Sequence, residues 1–196
     1  MRFNFDKREM IMKIVYFGPS LGGKTTTLRA IYSQLAPDVK GQFMSINTKD
    51  DRTLFFDFFD LATNTRVGGG TLKVRYELFT VPGQITYGET RRLVMKGADG
   101  VVFVADSQVS KMAENIESIA DLHAILTFYN REPKVFPTVI QYNKRDLPDI
   151  SSVEELRAKL NTFGSPEFST VALTGKNVMA ALDAISVECI KTTKQR

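Results

Sequence analysis

Lys24 and Thr25 close the stretch Gly18-Pro-Ser-Leu-Gly-Gly-Lys-Thr25, whose glycines, lysine and hydroxyl are spaced for one kind of chemistry. A glycine-rich turn lets successive backbone N–H groups converge on a concavity that accepts the α- and β-phosphates of a nucleotide. A lysine at its end can reach the β- and γ-phosphates, and the threonine that follows offers a hydroxyl to Mg²⁺. Gly18, Ser20, Leu21, Gly22, Gly23, Lys24, Thr25 and Thr26 are therefore the candidate phosphate-binding residues, with Thr25 also a candidate metal ligand. The flanking segments agree with this reading. Residues 13–17 (KIVYF) read as a strand, and residues 25–34 as a helix with Leu28, Ile31, Tyr32 and Leu35 on one face. Strand, glycine loop, helix is the order that sets a phosphate at a helix N-terminus.

A second group of residues has the chemistry of base recognition. Asn143-Lys-Arg-Asp146 directly follows the apolar run 138–142. Guanine presents an N1–H and an exocyclic amine side by side, a donor pair that a carboxylate such as Asp146 accepts in bidentate fashion. Adenine lacks that pair and would leave the carboxylate unpartnered. The stem of Lys144 can cover one face of the base, and Asn143 can tie this loop to the phosphate loop. The nucleotide implied is GTP or GDP. A third element is Thr80-Val-Pro-Gly83-Gln84. Its Pro-Gly step ends a strand and frees the Gly83 N–H for a γ-phosphate, with Gln84 beside it to orient an attacking water.

The elements that must carry these loops alternate along the chain. A polar, aperiodic segment at 41–52 reads as a functional loop. Residues 53–61 (TLFFDFFDL) read as a strand, 62–70 as a turn and 72–81 as a second strand, which makes an antiparallel hairpin. A strand at 100–106, a helix at 112–129, a strand at 138–142 and a helix at 153–160 follow. A short strand near 169–173 and a helix from 178 to about 190 complete the run. The pattern predicts one α/β domain over residues 1–196, with a mixed six-stranded sheet, one hairpin strand antiparallel, flanked by helices. The 53–61 strand is apolar on both faces. It fits either a strand buried on both sides or a sheet edge inviting a partner.

Composition narrows the class. The chain has 196 residues, 43% of them hydrophobic, enough for one sizeable core. Its net charge of +4 comes without a basic block, so nucleic acid is not expected as a partner. A single cysteine, Cys189, excludes an internal disulfide and a cysteine-based metal cluster, and a single histidine, His123, argues against a Ser-His-Asp triad or a histidine-rich metal site. Charged residues stud the first thirteen positions, no apolar run is long enough to span a bilayer, and no lipidation motif is present. The expectation is a cytoplasmic chain without a lipid anchor, monomeric by itself.

The three motifs, together with the runs at 52–58 (RTLFFDF), 99–106 (DGVVFVAD) and 141–148 (QYNKRDLP), resemble the Ras-like small GTPases, and more closely the bacterial MglA-like group associated with cell polarity and gliding motility. The resemblance implies a Mg²⁺-dependent switch that hydrolyses GTP to GDP and binds different partners in its two states. It implies that Thr53 meets Mg²⁺ and the γ-phosphate, that Gln84 is the catalytic glutamine and that Arg52 is an arginine finger supplied in cis. It also implies a roadblock-domain activating partner of the MglB-like kind, further effectors, and recruitment to a cell pole. Three positions depart from the Ras-like pattern. Thr80 stands where most relatives carry the aspartate that holds a magnesium water. Ser20 replaces a glycine and crowds the space that Gln84 needs. Residues 171–174 (VALT) replace the usual guanine loop, in which the Ala172 N–H is expected to reach the guanine oxygen. Ser20 and Thr80 make a GTP-binding scaffold with negligible hydrolysis the alternative reading, against which Arg52 and Gln84 argue.

Overall fold

The computed structural model describes residues 1–47, 55–67, 72–83 and 88–194. Its centre is a mixed sheet in the order β3-β4-β5-β2-β6-β7-β8, with β1 paired to β2 off that path. The strands are β1 (Arg2–Asn4), β2 (Glu9–Phe17), β3 (Met44–Asn47), β4 (Phe55–Val67), β5 (Leu72–Thr80), β6 (Gly100–Asp106), β7 (Thr138–Asn143) and β8 (Glu167–Ser169). The helices are α1 (Lys24–Gln34), α2 (Gly88–Met95), α3 (Met112–Phe128), α4 (Val153–Leu160) and α5 (Val178–Lys194). β5, β2, β6, β7 and β8 run parallel, while β1, β3 and β4 pair antiparallel with their neighbours.

Parallel strands are covered on both faces and so read as unbroken apolar runs. β6, Gly-Val-Val-Phe-Val-Ala-Asp, is buried at every position. One side of the sheet holds Ile14, Tyr16, Leu78, Val102 and Val139 under Leu28 and Ile31 of α1 and Ala181, Ile185 and Cys189 of α5. The other holds Val15, Phe17, Val101, Phe103 and Tyr142 under Val94 of α2, Leu122 of α3 and Leu156 of α4. Cys189 is thus a core residue.

The expected α/β class holds, and the sheet is wider than six strands by β1 and β3. β1 escaped the sequence reading because its three residues form a strand only by pairing with the first half of β2, Arg2 opposite Ile11 and Asn4 opposite Glu9. β3 lies in the segment read as a loop, where Met44 to Asn47 pair with Phe58 to Phe55. The 62–70 turn is also corrected. β4 continues to Val67, with a register shift between Ala62 and Arg66 that absorbs the polar residues. β8 ends at Ser169, so residues 170–173 form the loop after it. α2 is absent from the sequence reading, because its eight residues, Gly-Glu-Thr-Arg-Arg-Leu-Val-Met, are too short a run to stand out from the loops around it.

The aromatic strand is not the edge; it buries Phe59 and Leu61 on one face and half-buries Phe56 and Phe58 on the other. β3 covers its outer flank. Phe59 packs edge-on to Tyr32 at 5.2 Å and near-parallel to Phe43 at 5.7 Å, under α1. On the opposite face Phe58 and Phe56 lie 4.6 Å and 6.0 Å from the ring of Phe79.

Candidate nucleotide-binding site

The expected site residues that the structure describes gather at the C-terminal ends of the parallel strands, the usual place for a ligand in an open α/β sheet. The loop after β2 carries Gly18 to Gly23 and feeds into α1, whose first residue is Lys24. Gly23 sits at φ +103°, and a Cβ there would collide with the side-chain nitrogen of Asn143. Glycine is therefore required for both backbone and space. Leu21 takes φ +57° with its side chain almost wholly exposed, which leaves the loop interior to backbone.

Lys24 is buried, and its ammonium donates to the carbonyls of Gly18 at 3.0 Å and Pro19 at 2.6 Å. The contacts stretch the side chain across the loop mouth. Burial pushes this ammonium down to about 7, the Arg91 charge adds to the fall, and Asp57 opposes it. A polyphosphate arriving there would meet a cation that the protein itself only partly neutralises. The cleft beside it encloses about 430 Å³ and is lined by Lys24, Thr25, Ser45, Asp57, Thr80 and Gly83, among others.

Asp57, on β4, is the site residue that the sequence reading missed. Its carboxylate accepts from the Thr25 hydroxyl, from the Ser45 hydroxyl at 2.6 Å and from the Thr80 hydroxyl at 3.2 Å, while its own N–H donates to Thr80 at 2.8 Å. Thr80 thus stands where a carboxylate is usual, and a carboxylate arrives from the strand alongside. The sequence holds half of the signal, and the register of the sheet supplies the rest. Asp57 is an acid inside an aromatic run, and the β4–β5 ladder places it one step beyond the Phe58–Phe79 pair, across from Thr80. The four side chains offer only oxygen, the donor type that suits a hard divalent cation such as Mg²⁺.

Gly83 closes the cleft from β5. A Cβ there would run into the backbone of Ser20 and the Lys24 ammonium, so the Pro82–Gly83 turn lies directly on the phosphate loop. Ser20 therefore meets the turn through its backbone. Arg52, Thr53 and Gln84 lie outside the described residues.

At the base end, Asn143 joins two loops. Its amide nitrogen donates to Gly22 O at 2.9 Å, and its oxygen accepts the Ala172 N–H at 2.9 Å and the Thr170 hydroxyl at 3.3 Å. The Ala172 N–H, which the resemblance assigns to the guanine oxygen, donates here to Asn143. Lys144, at φ +64°, places its ammonium 2.6 Å from the fully buried Asp106 carboxylate at the end of β6. Asp106 also accepts the Gln108 N–H at 3.1 Å, so Lys144 is held from below. Asp146 is exposed and has no hydrogen bond or ion pair among the described residues, which leaves both its oxygens available.

A phosphate loop after the central strand, a buried lysine, and an Asn-Lys-x-Asp loop two strands away define the small-GTPase class of P-loop proteins. A model of the ADP-ribosylation factor (Arf) family matches residues 2–189. The chain is 48% identical over 183 residues to "Mutual gliding-motility protein MglA" of Myxococcus xanthus, which covers 93% of this chain and 92% of that one. It is 25% identical to "ADP-ribosylation factor-like protein 6" of Caenorhabditis elegans, across 99% of this chain and 94% of the relative. It is also 25% identical to "Ras-related protein Rab-27B" of Homo sapiens, across 95% and 83%. The chain belongs to the Arf family and is an MglA-like small GTPase. Guanine nucleotide is accordingly its ligand class. Among the described residues no helix is long and apolar enough to cross a membrane.

Proposed function

We propose that residues 1–196 form one G domain that acts as a Mg²⁺-dependent switch, hydrolysing GTP and controlling cell polarity and gliding motility through partners that read its state. The observation that carries this reading is the 48% identity, over nearly the whole of both chains, to a relative named for gliding motility. The cleft geometry supports the chemistry. The backbone of Gly18 to Gly23 with Thr26 and Lys24 would hold the phosphates, and Asp146 with Lys144 would hold the base.

The oxygen cluster fits Mg²⁺. Thr25 would be a ligand, Thr53 a second one in the triphosphate state, and Asp57 would supply the negative charge that Thr80 cannot. The cation, when bound, neutralises charge on the phosphate oxygens. Around it the protein's own groups orient and exclude. The Gly83 N–H would meet the γ-phosphate, Gln84 would hold the attacking water, and Arg52 would face the charge that develops as the phosphoryl group leaves. A roadblock-domain activator of the MglB-like kind would work by fixing Arg52 and Gln84 in place. The protein would act in the cytoplasm and be drawn to a cell pole by its partners.

Single-turnover GTP hydrolysis with and without a roadblock-domain partner tests this reading. Arg52→Ala should lose most of an effect of about 10³–10⁵ in rate while still binding GTP and the partner. Full stimulation of the variant would return Arg52 to the surface. A wild-type chain that releases no phosphate under stimulation would overturn the switch itself.

A further inference from the structure

Arg91 has the largest of the fully buried side chains among the described residues, and the nucleotide site described above uses it only as a charge near Lys24. A guanidinium is seldom placed wholly out of water unless its donors are satisfied by fixed partners. Here they are. Nε donates to the Pro82 carbonyl at 2.9 Å, Nη2 to the Gly83 carbonyl at 2.8 Å, and Nη1 to the Asp121 carboxylate at 2.5 Å. The guanidinium plane also lies over Phe17, 5.0 Å from the ring centroid. Phe17 is the last residue of β2, immediately before the phosphate loop. One planar group of α2 thus ties together the end of β2, the turn after β5 and, through Asp121, helix α3.

The two carbonyls it holds are those whose orientation matters for phosphate. The chain contains no cis peptide bond among the described residues. In a planar trans peptide the C=O and the following N–H point in opposite directions. Fixing the Pro82 carbonyl on Arg91 therefore turns the Gly83 N–H away from the guanidinium. Gly83 itself rests on Ser20 and Lys24 of the phosphate loop. A lysine could not replace this arrangement, because it has no fixed fork with which to hold two successive carbonyls and a carboxylate together.

We infer that Arg91, anchored by Asp121, is a positioning residue that orients the Pro82–Gly83 turn for a γ-phosphate and so sets the preference of the site for triphosphate over diphosphate. The inference rests on the phosphate-site reading given above. It adds a consequence, because Asp121 is about one-third exposed while Arg91 is not. The anchor of the turn is thus reachable from the α3 surface, away from the nucleotide cleft.

The test compares dissociation constants for GDP and for a non-hydrolysable GTP analogue in the full chain carrying Arg91→Lys or Asp121→Asn, with Arg92→Lys as control. Arg92 is exposed on the same helix and takes no part in the clamp. Both clamp variants should bind GDP close to wild type and bind the analogue about tenfold more weakly, the effect of one misdirected hydrogen bond. The control should leave the ratio unchanged. A lowered melting temperature with an unchanged ratio would make the clamp purely structural and overturn the inference. Asp121→Asn keeps it testable if the buried substitution fails to fold. A wild-type chain that binds neither nucleotide would instead overturn the site reading on which the inference stands.

Discussion

The two ends of the nucleotide cleft are organised around different kinds of group. At the base end the hub is Asn143, a neutral amide whose partners are the Gly22 carbonyl, the Ala172 N–H and the Thr170 hydroxyl. At the end proposed for Mg²⁺, called the metal end below, the hub is Asp57, a carboxylate whose side-chain partners are the hydroxyls of Thr25, Ser45 and Thr80. An amide bonded largely to loop backbone has no competing partner to exchange for. A carboxylate surrounded by hydroxyls can give up part of that shell to a cation, because a full charge attracts it more strongly than a neutral donor does. The chemistry makes the base end a frame and the metal end exchangeable.

The largest effect should come from breaking the frame. Asn143→Ala would leave the buried Gly22 carbonyl and the buried Ala172 N–H without their partner, while the Thr170 hydroxyl keeps the Tyr142 carbonyl, and each orphaned group costs about 1–3 kcal/mol. Thermal denaturation should show a clear loss of stability, and GDP and a GTP analogue should weaken by the same factor. A variant with wild-type melting and affinity would show that the loops hold together without the amide. Unequal weakening of the two nucleotides would place Asn143 on the exchangeable side.

The metal end should respond differently. Asp57→Asn removes a charge while keeping size and most hydrogen bonds, so its effect should appear only when Mg²⁺ is present. Release of a fluorescent GDP should need roughly tenfold more Mg²⁺ to be slowed to the same extent, about what one charge-assisted contact contributes. In excess EDTA, variant and wild type should release at the same rate. A Mg²⁺ titration superimposable on wild type would separate Asp57 from the metal.

The same contrast explains what the sequence made legible. The base loop and the phosphate loop are contiguous motifs, so Gly18 to Thr25 and Asn143 to Asp146 could be read in one dimension. Strands β6, β7 and α4 were legible too, because burial on both faces or a capped helical start leaves a local pattern, such as Ser152 accepting the Glu155 N–H at 3.1 Å. Asp57 was not, because its role comes from a cross-strand pairing with Thr80 that only the register of β4 on β5 fixes. Arg91 was hidden for a related reason. Arginine on a short polar helix reads as surface, and only the packing of α2 over Phe17 buries it. Residue roles set by contact between distant segments are the part that spacing does not encode.

The smallest effect sharpens the comparison at the point where the two ends meet, Lys24. Its ammonium is held at about 7, mainly by burial, whereas an unfolded lysine titrates near 10.5. Between those values the unfolded chain binds more protons than the folded one, so the stability of the nucleotide-free protein should rise with pH from 7 upward. Polyphosphate reverses the sign, because a bound anion favours the charged amine and draws its pKa back up. Binding at pH 8 should therefore take up about one proton at Lys24, and affinity should fall about fivefold between pH 7 and pH 8. Calorimetric titration of GDP in two buffers of different ionisation enthalpy measures the proton count directly. The fall should persist above the range in which the phosphates themselves titrate, which separates the lysine from the ligand. Zero proton uptake at pH 8 would mean that the carbonyls of Gly18 and Pro19 already keep the ammonium fully charged. In that case Lys24 would belong with Asn143 to the fixed frame.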